Sequence, residues 1–98
     1  DFAGKDGSKV LAVASGVVTW SGERFGYGRM VEIDHGNGYV TRYAHNAVNL
    51  VKVGDVVQKG ESVGLMGSSG RSTGPHVHFE VLRDGSPVDP IAYVRAAR

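Results

Sequence analysis

Apolar and polar residues alternate along much of this chain with a period of two, the pattern of strands that bury one face. The clearest case is His76-Val77-His78-Phe79-Glu80-Val81, where three apolar residues alternate with two imidazoles and a carboxylate. In Arg29–Asp34, Met30, Glu32 and Asp34 alternate with Val31 and Ile33, and Tyr39–Ala44 sets Tyr39, Thr41 and Tyr43 on one face. Between these two strands, Asp34-His35-Gly36-Asn37-Gly38 reads as a tight turn whose glycines supply positive φ. Shorter apolar runs at Val10–Ala14, Val17–Trp20, Val56–Val57 and Val63–Met66 predict further strands. Turn signals separate them at Gly7-Ser8, Gly16, Ser21–Gly28, Gly54-Asp55 and Lys59-Gly60. Arg83–Pro87 reads as another turn, and Val88-Asp89-Pro90 ends the sheet. Only Ile91–Ala97 predicts helix, one or two turns capped by Asp89 with Pro90 at the first helical position. The expected fold class is all-β: antiparallel strands in a single sandwich-like domain over residues 1–98, closed by a short C-terminal helix.

Composition narrows this only a little. With 98 residues and no cysteine, the chain is long enough for one modest core without disulfide support. Fifteen glycines suit short strands joined by many turns. The net charge of +1 gives no electrostatic case for nucleic acid or an anionic membrane as partner. No apolar run reaches the ~18 residues of a membrane span, and no signal peptide is visible. The aromatic and basic interleaving of Arg24, Phe25, Tyr27 and Arg29 could stack on nucleic-acid bases. It is better read as a hairpin loop whose aromatics border a peptide-binding groove.

The chemistry concentrates on His76, His78 and Glu80. On a strand all three share a face, so both imidazoles can point at one metal-centred pocket. Zinc takes neutral imidazole at roughly 2.0–2.1 Å, and a catalytic zinc keeps one position open for water. The plainer reading is two histidines on a solvated strand face. The loop Gly67–Gly74, rich in Gly, Ser and Thr, runs directly into Pro75 and the strand, and such a loop lets backbone pass close to a substrate. A phosphate cradle is the alternative for that loop, but the Gly-Lys-Ser/Thr it requires is missing and a strand follows it. Read alone, His45 at a strand end is a solvated polar residue, Asp1 a disordered terminal carboxylate, and His35 a turn residue.

Thr73-Gly74-Pro75-His76-Val77-His78-Phe79-Glu80-Val81 resembles the signature strand of the LytM/lysostaphin-type zinc endopeptidases, which cut peptide bonds in bacterial cell-wall peptidoglycan. The resemblance covers nearly the whole chain. The family carries H-x-x-x-D, a loop, G-x-x-V-x-A and G-x-V; Asp1 falls on the aspartate, Gly7 on the first glycine, and Gly16 and Val18 on the last pair. Tyr43-Ala44-His45 matches the family's Y-x-H. The resemblance implies a lysostaphin-type barrel-sandwich fold, zinc as cofactor, and Asp1 and His78 as metal ligands. It implies His45 and His76 as catalytic residues that orient and deprotonate the water and stabilise the oxyanion. The family's remaining ligand, a histidine four residues before Asp1, falls outside this sequence, so the domain reads as N-terminally incomplete and the chain as written would bind zinc weakly. Glu80 reads either as a carboxylate that orients a histidine or as a solvated strand residue. The expected partner is peptidoglycan stem or cross-bridge peptide and the expected location the periplasm or cell envelope. The cleaved bond leans to the D-alanyl–diaminopimelyl cross-link rather than Gly-Gly.

Two rivals stand beside this reading. One is a catalytically inactive, regulatory copy of the same fold that binds peptidoglycan or activates a cell-wall hydrolase; every motif position inside the chain is filled, which disfavours it. The other is a carrier or phosphotransfer domain, suggested by Val53-Gly54-Asp55-x-Val57-x-Lys59-Gly60-Glu61. Lys52 and Lys59 lack the Met-Lys-Met-like setting a carrier lysine needs.

Overall fold

The computed structural model describes residues 8–67 and 78–89 in full, and residues 2–3 and 76–77 as backbone. Ten strands follow one another: β1 (Phe2–Ala3), β2 (Lys9–Leu11), β3 (Gly16–Arg24), β4 (Gly28–Gly36), β5 (Tyr39–Ala44), β6 (Asn46–Asn49), β7 (Val56–Val57), β8 (Ser62–Met66), β9 (His76–Arg83) and β10 (Ser86–Val88). They form two antiparallel sheets. The larger runs β1-β9-β5-β4-β3-β7, with β10 also paired to β9, and the smaller runs β2-β8-β6. Among the described residues there is no helix; the helix expected over Ile91–Ala97 lies outside them.

The two sheets enclose a core of Val10, Ala12, Val18, Val31, Ile33, Tyr43, Val57, Val63, Phe79 and Val81. Alternation places these residues. On β5, Thr41 and Tyr43 turn inward, and on β9 Phe79 and Val81 do, with the Tyr43 and Phe79 rings 5.3 Å apart between centroids. β4 departs from simple alternation, because Met30, Val31 and Ile33 are all fully buried. It lies centrally between β3 and β5, and β6 of the smaller sheet packs against it.

Turns end the strands as the residue chemistry demands. The β4–β5 hairpin closes on Asn37-Gly38, both at positive φ (54° and 80°), which is the type I′ geometry that matches strand twist. Asp84-Gly85 repeats it between β9 and β10 (51° and 83°), so the predicted five-residue turn at Arg83–Pro87 is two residues long and Ser86–Val88 continues as a strand. One further expectation needs correction: Ser21–Arg24 is not turn but the second half of β3, paired with Gly28–Val31. Asn46–Asn49 is a strand with no alternation to announce it. At Gly16 a side chain is excluded: a Cβ would stand 2.5 Å from the Asp34 carbonyl oxygen and 2.7 Å from Ile33 Cγ2.

His35 belongs to this framework. Its Nδ1 lies 2.7 Å from the Ser15 carbonyl, which can only accept, so Nδ1 carries the proton. Its Nε2 lies 2.6 Å from Thr41 Oγ1, which is 3.0 Å from Tyr43 Oη, and the Val13 N–H donates to that same hydroxyl at 3.1 Å. The imidazole thus ties the segment before β3 to β4, β5 and the core.

Burial pushes the His35 imidazole below its ordinary pKa of 6.5, against the opposing pull of the Ser15 carbonyl and the Asp34 charge. The unfolded chain therefore takes up a proton more readily than the folded one, and stability is fully present above 6.5 and lost as pH falls through the window below it. Urea unfolding midpoints should fall between about pH 7.5 and about pH 5.5, and His35→Gln should flatten that dependence while lowering stability at the higher pH. An equal pH slope in both proteins would show that His35 is not the titrating group.

Candidate active site

The site lies on the face of the larger sheet opposite the core. β5 and β9 pair so that Ala44 is opposite His78 and Arg42 opposite Glu80. Because Phe79 and Val81 point inward, His78 and Glu80 point outward. His45 follows immediately on Ala44, at the junction of β5 and β6, and its ring centroid stands 6.0 Å from that of His78 at 60° between planes. The structure thus brings together two of the four predicted site residues. His76 lies on β9 two residues before His78, opposite Ala3. Asp1 lies outside the described residues; its chain neighbour Phe2 pairs with Val77. The Ser68–Pro75 part of the glycine-rich loop is outside them as well.

His45 reaches this place by an unusual backbone. Its φ is +63°, in the left-handed region where a side chain costs energy, and it is buried to 8% exposure. Its N–H donates to the Tyr27 carbonyl at 3.0 Å, which fixes the bend.

His78 is held from the side. Its Nε2 is 3.0 Å from Glu80 Oε2. A carboxylate accepts only, so Nε2 donates, and in the neutral ring Nδ1 then carries the lone pair. Burial alone would raise the Glu80 carboxyl, but hydrogen bonds from His78 and Tyr27 and the charges of His78 and Arg42 hold it below the usual carboxylate range. Of the two readings of Glu80 open in the sequence, the orienting carboxylate is the one the geometry favours.

Glu80 is one end of a ladder the sequence did not disclose. Glu32, Arg42 and Glu80 stand opposite one another on β4, β5 and β9. Arg42 Nε donates to Glu32 Oε2 at 2.7 Å, and Arg42 Nη1 lies 3.6 Å from Glu80 Oε1. Glu32 also accepts from Thr19 Oγ1 at 3.0 Å and Arg24 Nη1 at 3.4 Å. Tyr27 completes the array, donating its hydroxyl to Glu80 Oε1 at 3.1 Å and accepting from Arg42 Nη1 at 3.2 Å. The signal available in advance was the place of Glu32, Arg42 and Glu80 on the polar side of three strands, but it carried no information on which strands are neighbours. Arg24 and Arg42 both lie over the Tyr27 ring, and Arg29 reaches Glu23 and the Ala47 carbonyl. These guanidinium groups therefore serve the protein's own architecture.

Among the described residues, no group of three His, Cys, Asp or Glu side chains comes together as a metal site. The donor that is described fits zinc nonetheless: an imidazole with one nitrogen held by a carboxylate and the other carrying the lone pair is the arrangement of zinc-ligating histidines.

A β-sandwich with two neighbouring histidines at one strand end, one of them held by a carboxylate, is the architecture of a histidine-centred hydrolase or of a binding protein built on the same frame. Comparison with known proteins decides the family. Residues 1–90 match peptidase family M23, and the chain belongs to that family. It is 46% identical over 92 residues to the DD-carboxypeptidase/endopeptidase Mpg of Neisseria meningitidis, covering 94% of this chain and 21% of that protein. It is 37% identical over 95 residues to the murein hydrolase activator NlpD of Escherichia coli, covering 96% of this chain and 25% of that protein. The chain thus spans between a fifth and a quarter of the length of these relatives. Among solved structures, it resembles the lysostaphin catalytic domain of Staphylococcus simulans, with a TM-score of 0.88 at 31% identity over 96% of this chain and 75% of that one. It also resembles a zinc-containing peptidase of Vibrio cholerae, with a TM-score of 0.83 at 40% identity over 88% of this chain and 26% of that one. The fold is all-β and lysostaphin-like, and the carrier reading of the Lys52–Glu61 hairpins falls away. Those hairpins are tight turns, with Asp55 N–H donating to the Lys52 carbonyl and Glu61 N–H to the Gln58 carbonyl.

The left-handed backbone at His45 can be tested apart from its chemistry. His45→Asn should be the milder replacement, since Asn tolerates positive φ, and His45→Val should cost about 1–2 kcal/mol more in denaturant unfolding because its β-branch does not. Equal losses would mean that the conformation carries no cost.

Proposed function

We propose that this chain is the catalytic part of a zinc-dependent endopeptidase that hydrolyses peptide cross-links of bacterial peptidoglycan in the cell envelope. The observation that carries the reading is the neighbouring pair His45 and His78, 6.0 Å apart between ring centroids, on a fold that belongs to peptidase family M23. Asp1 and His78 are the ligands this chain offers to the metal, with His78 presented through the nitrogen that Glu80 does not hold. Two protein ligands are one short of the three usual for catalytic zinc, and a histidine four residues ahead of Asp1 would supply the third. When bound, the ion supplies an electrophile for the scissile carbonyl and lowers the pKa of a water to roughly 7.

The remaining steps belong to the protein. His45 and His76 orient the attacking water, take its proton and return it to the leaving amine, a task for which imidazole is suited near neutral pH. The same groups, as donors, stabilise the oxyanion that forms on the carbonyl. The β3–β4 hairpin tip, with Phe25 exposed, walls one side of the peptide groove. Residues 1–98 belong to one peptidase domain.

The likeness to an activator of murein hydrolases supports a second reading, a regulatory copy that digests nothing and stimulates another hydrolase. The two readings part in one experiment, using the chain extended so that a histidine stands four residues before Asp1. The endopeptidase should take up one zinc and release muropeptides from purified cross-linked peptidoglycan. His78→Ala should lose zinc and hydrolysis together, because a ligand is gone. His76→Ala should keep its zinc and lose turnover by about 10²–10⁴-fold, the scale of general acid–base assistance. Loss of zinc from His76→Ala but not from His78→Ala would reverse the two roles. No hydrolysis by the parent, with stimulation of an added hydrolase, would establish the regulatory reading.

A further inference from the structure

One residue touches the supports of both site histidines. Tyr27 sits at the end of the β3–β4 hairpin, in a turn closed by its own N–H donating to the Arg24 carbonyl at 2.9 Å. Its carbonyl accepts from the His45 N–H at 3.0 Å. Its hydroxyl donates to Glu80 Oε1 at 3.1 Å, and the other oxygen of that carboxylate is 3.0 Å from His78 Nε2. The ring is itself held, with the Arg24 guanidinium carbon 5.8 Å and that of Arg42 5.6 Å from its centroid. It also stands 6.4 Å from the His78 ring.

The two contacts act on different degrees of freedom. The carbonyl bond holds the backbone at His45 in its left-handed bend, a conformation costing about 1–3 kcal/mol that persists only where surroundings impose it. The hydroxyl bond stops the Glu80 carboxylate from rotating about its terminal torsion, which is otherwise broad. A carboxylate fixed at one oxygen presents the other in one direction, and His78 aligns to it. Arg42, bonded to the hydroxyl and adjacent to Glu80 Oε1, keeps the tyrosine oxygen at its post.

We propose that Tyr27 is the positioning residue of this site, setting the backbone of His45 through its carbonyl and the ring of His78 through its hydroxyl and Glu80. Its place in the hairpin tip couples that tip to the backbone of one histidine and to the carboxylate that holds the other. The role assigned to those histidines rests on the endopeptidase reading above; the positioning itself does not require hydrolysis.

The test uses the isotope-labelled 98-residue chain with long-range proton–nitrogen correlation through the imidazole rings, without metal or substrate. In the parent, neutral His78 should be the Nε2–H form, and the ring protons of His45 and His78 should show mutual cross-relaxation. Tyr27→Phe keeps the ring and the carbonyl and removes only the hydroxyl. The ratio of Nε2–H to Nδ1–H forms at His78 should then fall about five- to tenfold, the size of one charge-assisted hydrogen bond, while the amide shifts of β4 and β5 stay in place. Glu80→Gln should lower the same ratio, and the double variant should lose no more than the larger single loss, because the two residues act in series. An unchanged ratio in Tyr27→Phe, or single losses that multiply in the double variant, would overturn the proposal. A chain that shows this clamp and, once extended to carry a histidine four residues before Asp1 and loaded with zinc, digests no cell wall counts against the endopeptidase reading alone.

Discussion

The pairing register of β5 with β9 is the constraint from which the rest of the site follows. With Arg42 opposite Glu80 and Ala44 opposite His78, Thr41, Tyr43, Phe79 and Val81 reach the core while Arg42, His78 and Glu80 reach the groove. Side chains alternate with a period of two, so a slip of one residue would carry His78 and Glu80 into the core and bring Phe79 out. The Tyr43–Phe79 contact opposes that slip from the inner face, and the Arg42–Glu80 pair opposes it from the outer face. The same register decides that the residue after Ala44 arrives beside His78. The approach of His45 is therefore a consequence of core packing two residues away, and hydrophobic burial rather than any contact between imidazoles brings the pair together.

The charged ladder on the outer face would be of little account if it were fully solvated, since exposed ion pairs contribute only ~0–1 kcal/mol. Here the Arg42 and Glu32 side chains are 20% and 17% exposed, and their contact is a 2.7 Å hydrogen bond. Burial pushes the Arg42 guanidinium down, but the hydrogen bond and charge of Glu32 and the contact with Tyr27 outweigh it and keep its proton more firmly held than usual. A partly buried array of this kind fixes orientation more than it adds stability, because each member restricts the rotamers of the next. That is the property a site needs when an imidazole must present one chosen nitrogen.

What could be read from the sequence divides along physical lines. The long amphipathic strands were legible because burial on one face writes a period of two, and β4, β5 and β9 all carry it. The meeting of His45 and His78 was legible only through family resemblance, since nothing in the alternation of two strands says that they are neighbours. Strand β6 left no trace because Asn46-Ala47-Val48-Asn49 buries Asn46 completely and half-exposes Val48, the reverse of what polarity suggests. Ser21–Arg24 reads as a turn because its residues are polar; they are strand because pairing with Gly28–Val31 satisfies the backbone whatever the side chains. Tyr27, flanked by glycines in a polar stretch, looked like loop, and its bond to Glu80 spans 53 residues of sequence, a separation that local pattern cannot bridge.

Three described histidines show how little the residue type decides by itself. His35 has both ring nitrogens engaged by the framework, one on a carbonyl of the segment before β3 and one on a β5 hydroxyl, and it serves as a strut. His45 is held by its main chain, whose N–H donates to the Tyr27 carbonyl at a left-handed bend. His78 is held at one ring nitrogen by a carboxylate that is in turn braced from β5 and from the hairpin tip. An imidazole fixed at one ring nitrogen keeps a constant orientation. The two groove histidines thus differ in what restrains them, a backbone bond for His45 and a carboxylate for His78.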